Sequence, residues 1–173
     1  IRHHANNWVD AFLVGDGDDL GWLGYFIGRN KVLTGLYIDT YYIPEYRERI
    51  TALFRGIEQN RSIEDLDVED LDVVIYEDHL GESVLSSLST LLQSESCCLT
   101  SLTLAWSYFS PLRDDTAVAL ADALKGNKSL TKLLFNPDDL TPVGWSAFSR
   151  LLCDTSSVSN IYASNHTLQK IGY

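Results

Sequence analysis

Asp65, Asp67 and Glu69 alternate within a stretch where Glu64, Asp65, Asp67, Glu69, Asp70, Asp72, Glu77 and Asp78 fall inside fifteen residues that contain no Lys or Arg. Carboxylates at every second residue project to one side of an extended strand, and like charges so close are unfavourable unless a cation compensates them. Such a row suits reception of Arg or Lys from a partner, and its bland counterpart is a hydrated acidic surface. Calcium chemistry lacks a ligand loop, because Asp16-Gly17-Asp18-Asp19 is too short to form one. Acid-base chemistry has one candidate, His79 beside Glu77 and Asp78, which is an ordinary loop arrangement. No Walker phosphate loop, GxSxG elbow or HExxH helix occurs in the chain. The expectation is a protein without catalytic residues, metal or cofactor.

Net charge narrows the partner class. Thirteen basic against twenty-four acidic residues give −11 over 173 residues, which disfavours nucleic acid and anionic membrane surfaces. No stretch approaches the roughly 20 apolar residues of a membrane span, and the first residues, Ile1 to Asn7, lack the apolar core of a signal peptide. Cys97, Cys98 and Cys153 make neither a disulfide framework nor a zinc pattern, so they are expected as buried structural thiols in a reducing compartment. The expected location is intracellular, cytoplasmic unless sequence ahead of Ile1 directs the chain elsewhere. Three N-x-S/T acceptor patterns, Asn60-Arg61-Ser62, Asn127-Lys128-Ser129 and Asn165-His166-Thr167, each precede an Ile or Leu in the same register. That regularity assigns them to a structural repeat, with Asn ending a helix and Ser or Thr entering the next strand.

The elements that would position the carboxylates follow from the repeat itself. A pattern of apolar, two free, apolar, one free, apolar starts at Val9, Leu33, Ile63, Leu99, Leu130 and Val158, the last copy being Val158, Ile161 and Ala163. Upstream of the last five copies lie apolar residues at helical spacing: Leu20, Leu23, Ile27; Ile50, Leu53, Ile57; Leu85, Leu88, Leu92; Ala117, Leu120, Leu124; and Trp145, Phe148, Leu152. All 33 slots are apolar, where a 45% apolar composition gives about 15 by chance. Each unit reads as a helix with one buried stripe, a short turn and a strand with alternate residues inward. Asp114, Asp115 and Thr116, and Thr141-Pro142, are expected helix starts, as is Pro44. A lone unit cannot bury its stripe, so units stack into an α/β solenoid with a parallel sheet.

The run Ala119 to Leu133, ALADALKGNKSLTKL, resembles the helix, turn and strand consensus of leucine-rich repeat proteins, particularly the long-repeat subtype similar to ribonuclease inhibitor. The resemblance covers about residues 8 to 173 and implies one domain of about six repeats, with parallel strands on the concave side and helices on the convex side. The chain departs from the family where an Asn usually ends the strand motif. Tyr41, Leu71, Ser107, Asp138 or His166 stands there, so no asparagine ladder is expected at that turn. Leu168, Ile171 and Tyr173 begin a seventh strand-like motif ten residues after the sixth, which reads as the open end of a longer chain.

By family and pleat together, residues between the inward strand positions line the concave surface, where such proteins commonly bind partners. The candidates are Tyr37, Asp39, Asp65, Asp67, Glu69, Thr103, Lys132, Asn136 and Tyr162. Trp8, Trp22, Trp106 and Trp145 are assigned to core edges and repeat seams. The resulting expectation is a non-catalytic protein-interaction scaffold whose partner carries a basic surface. Its rivals, by analogy of fold, are an enzyme regulator (a ribonuclease-inhibitor-like blocker or a GTPase-activating protein) and a structural subunit of an assembly.

Overall fold

The computed structural model describes residues 8–12, 20–39, 47–69, 80–105 and 112–173. Among them are strands β1 (Trp8–Phe12), β2 (Gly35–Asp39), β3 (Asp65–Glu69), β4 (Ser101–Ala105), β5 (Lys132–Phe135) and β6 (Lys170–Ile171). The helices are α1 (Leu20–Arg29), α2 (Arg47–Gln59), α3 (Leu80–Gln93), α4 (Asp114–Leu124), α5 (Pro142–Leu152) and α6 (Val158–Ala163). The strands form one sheet in sequence order β1 to β6, every neighbouring pair parallel. A parallel neighbour requires a crossover, and helices supply it here, giving an α/β, repeat-like fold.

The register repeats from unit to unit. Leu36, Leu66, Leu102 and Leu133 lie side by side, as do Ile38, Val68, Leu104 and Phe135, and all eight are essentially inaccessible. Leu33, Ile63, Leu99, Leu130 and Leu168 are buried where the chain enters each strand. The facing helices contribute Ile27, Leu53, Ile57, Leu88, Leu92, Leu120 and Leu124 to the same core. Leu side chains buried to this degree contribute about 1.5 to 3 kcal/mol each. α1 and α2 approach more closely than side chains would permit: a Cβ on Gly56 would strike the Gly24 backbone, and one on Gly24 would strike the Ala52 carbonyl. Two glycines therefore let these helices touch backbone to backbone.

Asparagines at the helix-to-strand turn tie the units together. Asn30, Asn60, Asn127 and Asn165 each stand three residues before a buried strand-entry residue. Each Oδ1 accepts the N–H groups of the second and third residues after it, at 2.7 to 3.0 Å. Asn60 Nδ2 donates back to the carbonyls of Ile27 at 2.6 Å and Asn30 at 2.8 Å. Asn165 Nδ2 does the same to Leu124 at 2.8 Å and Asn127 at 3.1 Å, while Asn127 reaches Leu92 at 2.8 Å. Just beyond, the carbonyls of Thr34, Glu64, Thr100 and Thr131 each accept two N–H groups from the next unit. Backbone groups at the helix-to-strand turn are thus satisfied by the neighbouring unit, which fixes the stacking register.

Three expectations are corrected. Val158, Ile161 and Ala163 do not form a strand: they lie in α6, which buries none of its residues, and the sixth strand is Lys170–Ile171 beside β5. Apolar spacing of three and then two suits one face of a short helix as well as a strand, and the Ser157 hydroxyl caps this one by accepting Asn160 N–H at 3.1 Å. With α6 inserted, α5 is rotated from the expected stripe and buries Gly144, Ala147, Phe148 and Leu151, leaving Trp145 and Leu152 exposed. At the other end Val9 pairs with Leu36 and Ala11 with Ile38, so the first copy is in a different phase; Val14 lies outside the described residues.

Helix starts hold in part. Thr141 caps α5 through its side chain, with Pro142 as the first helical residue. Asp114 opens α4 but is not its own helix's cap. Its Oδ1 instead accepts the N–H groups of Thr141 at 3.0 Å and Gly144 at 3.1 Å, and its Oδ2 accepts the Thr141 hydroxyl at 2.5 Å. Asp114 therefore caps the helix of the following unit. Pro44 lies outside the described residues.

Candidate interaction face

The sheet face away from the helices is built by the residues that alternate with the buried ones. One row, in register from β2 to β6, reads Gly35, Asp65, Ser101, Lys132 and Lys170. The next reads Tyr37, Asp67, Thr103 and Leu134, and a third sets Asp39 beside Glu69 and Ala105. Neighbouring strands lie about 4.8 Å apart, so residues in one row are close enough to contact one partner together.

Tyr37, Asp39, Asp65, Asp67, Glu69, Thr103 and Lys132 are therefore brought onto one face. Within it the Tyr37 hydroxyl donates to Glu69 Oε2, so the ring runs diagonally across the sheet from its place beside Asp67. Asp65 and Glu69 remain half-buried and reachable, whereas Asp67 is only 3% exposed, enclosed in the central row between Tyr37 and Thr103. The three alternating carboxylates share a face, but only the outer two present themselves to solvent. A hydroxyl donor on Glu69 also offsets part of the repulsion that the spacing implies.

Two candidates fall elsewhere. Tyr162, with 81% of its surface exposed, stands on α6, and Asn160 and Ser164 belong to that helix and its end. Asn136 follows β5, where its side chain accepts Asp138 N–H at 3.1 Å and its carbonyl accepts Leu112 N–H at 3.3 Å, so it shapes the loop at the face's rim. Lys170 was missed as a face residue because the sixth strand was placed ten residues too early. The signal that finds it is Asn165, at the ladder position of Asn60 and Asn127. The face thus runs from acidic at β3 to basic at β5 and β6. Asp70, Asp72, Glu77, Asp78 and His79, Asp16 to Asp19, and Trp106 lie outside the described residues.

Away from this face, Trp22 is 64% exposed and packs edge-on to Tyr25, with Phe26 beside both and the Arg29 guanidinium 3.8 Å above the Tyr25 ring. Trp22 is thus a surface residue, contrary to its assignment to the core edge. Trp145 is likewise 40% exposed, edge-on to Phe148, which in turn stacks on Phe135 in the core.

Asp114 is held below its ordinary value of 3.8 chiefly by the Thr141 hydroxyl, which outweighs the contrary effect of desolvation, with the Thr141 and Gly144 amides adding to the lowering. Asp154 is lowered as well, chiefly by Ser156. Both shifts belong to loop and helix-end architecture. Among the described residues no group of three or more His, Cys, Asp or Glu side chains is arranged to hold a metal ion, and no helix is long and apolar enough to cross a membrane.

The architecture is that of an α/β protein with one parallel sheet, strands in chain order, and a mixed-charge face opposite the helices. Comparison with known proteins adds no kinship: no family model matches the sequence, and no curated protein matches it.

Proposed function

We propose that this chain is a non-catalytic protein-interaction module of the leucine-rich repeat type, a short solenoid whose strand face receives a basic surface of a protein partner. The observation that carries the reading is the register that sets Asp65, Glu69 and Tyr37 on one side of β2 and β3, with the Tyr37 hydroxyl already oriented on Glu69. Ordered strands position these groups without the flexibility of a loop. Asp65 and Glu69 are the cation receptors, Tyr37 adds aromatic contact area, and Asp67 underlies them. Thr103 and Lys132 extend the same surface toward β5.

The test is capture of partners on the immobilised protein at low and moderate salt, with Asp65→Asn/Glu69→Gln as the comparison. A partner lost in the double variant, and lost from the native chain as salt rises, supports the reading. A partner held equally by both forms at every salt concentration rejects this face.

A further inference from the structure

The three acceptor sequons supply asparagines of the ladder between units, and that geometry gives them opposite fates in the folded and unfolded chain. Asn60, Asn127 and Asn165 are buried, at 4%, 6% and 5% exposure. N-linked glycan transfer forms a bond between Asn Nδ2 and the sugar C1, breaks the C1–O bond to the diphosphate of a lipid-linked donor, and removes one proton from Nδ2. In Asn60 and Asn165 each of two Nδ2 protons has a carbonyl of the preceding unit as its acceptor, at 2.6 to 3.1 Å. Transfer there must break those bonds and seat a sugar between two stacked units.

Asn127 is held less completely. Its Nδ2 makes one carbonyl bond, to Leu92. The preceding unit has Ser96 at the ladder position, within the longer connection Ser94-Glu95-Ser96-Cys97-Cys98, so it has no asparagine there to continue the row. A cleft of about 460 Å³ opens at this seam, lined by Gln93, Ser94, Cys97, Asn127, Lys128 and Ser129 among others.

We infer that Asn60, Asn127 and Asn165 accept an N-linked glycan only in the unfolded chain, because folding commits their side-chain amides to joining successive units, and that Asn127 is the first released when the fold loosens. A glycan already in place would keep the modified unit from closing on its predecessor. Modification and folding therefore compete for the same three atoms.

The experiment offers the full chain to a purified single-subunit oligosaccharyltransferase with a lipid-linked oligosaccharide diphosphate, reading site occupancy by mass spectrometry. The native protein is compared with Leu102→Asp, which leaves every sequon intact but places an unpaired carboxylate in the core and opens the fold. The expected result is modification of all three asparagines in the opened variant and at least a roughly hundredfold slower reaction in the native protein, since reaction there waits on local opening. As the native protein is warmed toward its unfolding midpoint, Asn127 gains occupancy before the other two. Native-state modification of Asn60 or Asn165 within a few-fold of the opened variant overturns the inference. So does an opened variant that stays unmodified, and simultaneous release of the three sites overturns the order.

Discussion

The middle units of this protein and its last unit obey the same register by different means. From β2 to β5, leucines and their equivalents fill every inward strand position, and each helix lays a continuous apolar stripe over them. In the last unit α5 is rotated, α6 is added with nothing buried, and the strand shrinks to Lys170–Ile171. Yet that strand enters the sheet in phase, because Asn165 makes the contacts that Asn60 makes three units earlier and its N–H also bonds the Leu151 carbonyl at 2.8 Å. The unit tolerates an insertion as long as the asparagine re-establishes the hydrogen-bond register.

The largest expected effect separates the two regions by their core content. Leu102→Ala removes a side chain packed between Leu66 and Leu133 and is expected to cost about 2 to 5 kcal/mol. Ile161→Ala, on exposed α6, is expected to stay within about 0.5 kcal/mol. Thermal unfolding of the two variants checks this; at about 2 to 4 °C per kcal/mol the first lowers Tm visibly and the second does not. Equal losses would mean that α6 is part of the core.

These two residues also mark what the sequence discloses. The strands from β2 to β5 and helices α1 to α4 are legible because burial is periodic, and the slots Leu33, Leu36, Ile38 through Leu130, Leu133, Phe135 are all in the core. Val158, Ile161 and Ala163 satisfy the same apolar template, and only competition with a true strand decides between them. That competitor was visible as Leu168 and Ile171, preceded by an asparagine in ladder position. The candidate face is legible to the same degree. Register carries Asp65 and Glu69 onto it directly, whereas the burial of Asp67 depends on how Tyr37 lies across neighbouring strands, and Tyr162 inherits the misplacement of its strand.

Asn60→Ala probes the second means of alignment. It removes both amide protons from Ile27 and Asn30 and leaves Ser62 and Ile63 N–H groups without their Oδ1 acceptor. A loss of about 2 to 4 kcal/mol is expected, since each buried group left unsatisfied costs about 1 to 3 kcal/mol and water can relieve part of it. The counterpart outside the ladder is Asn136→Ala at the rim, expected to cost under about 1 kcal/mol. Denaturant titration of both variants measures the difference. A neutral Asn60→Ala would place the alignment of units wholly on the leucines.

A smaller effect appears only in acid. The Asp114 carboxylate is held below its ordinary 3.8 because its charged form receives the Thr141 hydroxyl and two amides at the start of α5. A lowered folded value adds stability above the unfolded value, and that contribution declines as pH falls below about 4 through the folded value. Native protein and Asp114→Asn should therefore differ most above pH 4 and converge in stronger acid. Tm measured across this window checks the convergence. A constant gap down to the lowest pH would show that Asp114 acts through its shape and not its charge.

The smallest stability effect belongs to the candidate face, and its smallness is the diagnostic. Asp65 and Glu69 reach solvent, and their replacement by Asn and Gln keeps side-chain size while removing two like charges that flank Asp67 on one strand. Stability is expected to change by less than about 0.5 kcal/mol in either direction, because lost repulsion offsets the weakened Tyr37 hydrogen bond. A surface shaped for a partner keeps charges that the isolated fold does not need, so binding should fall while Tm holds. The interpretation rests on that divergence: a parallel loss of Tm and binding in Asp65→Asn/Glu69→Gln would identify the carboxylates as structural neighbours of Tyr37, while unchanged binding with unchanged Tm would move the partner to another surface.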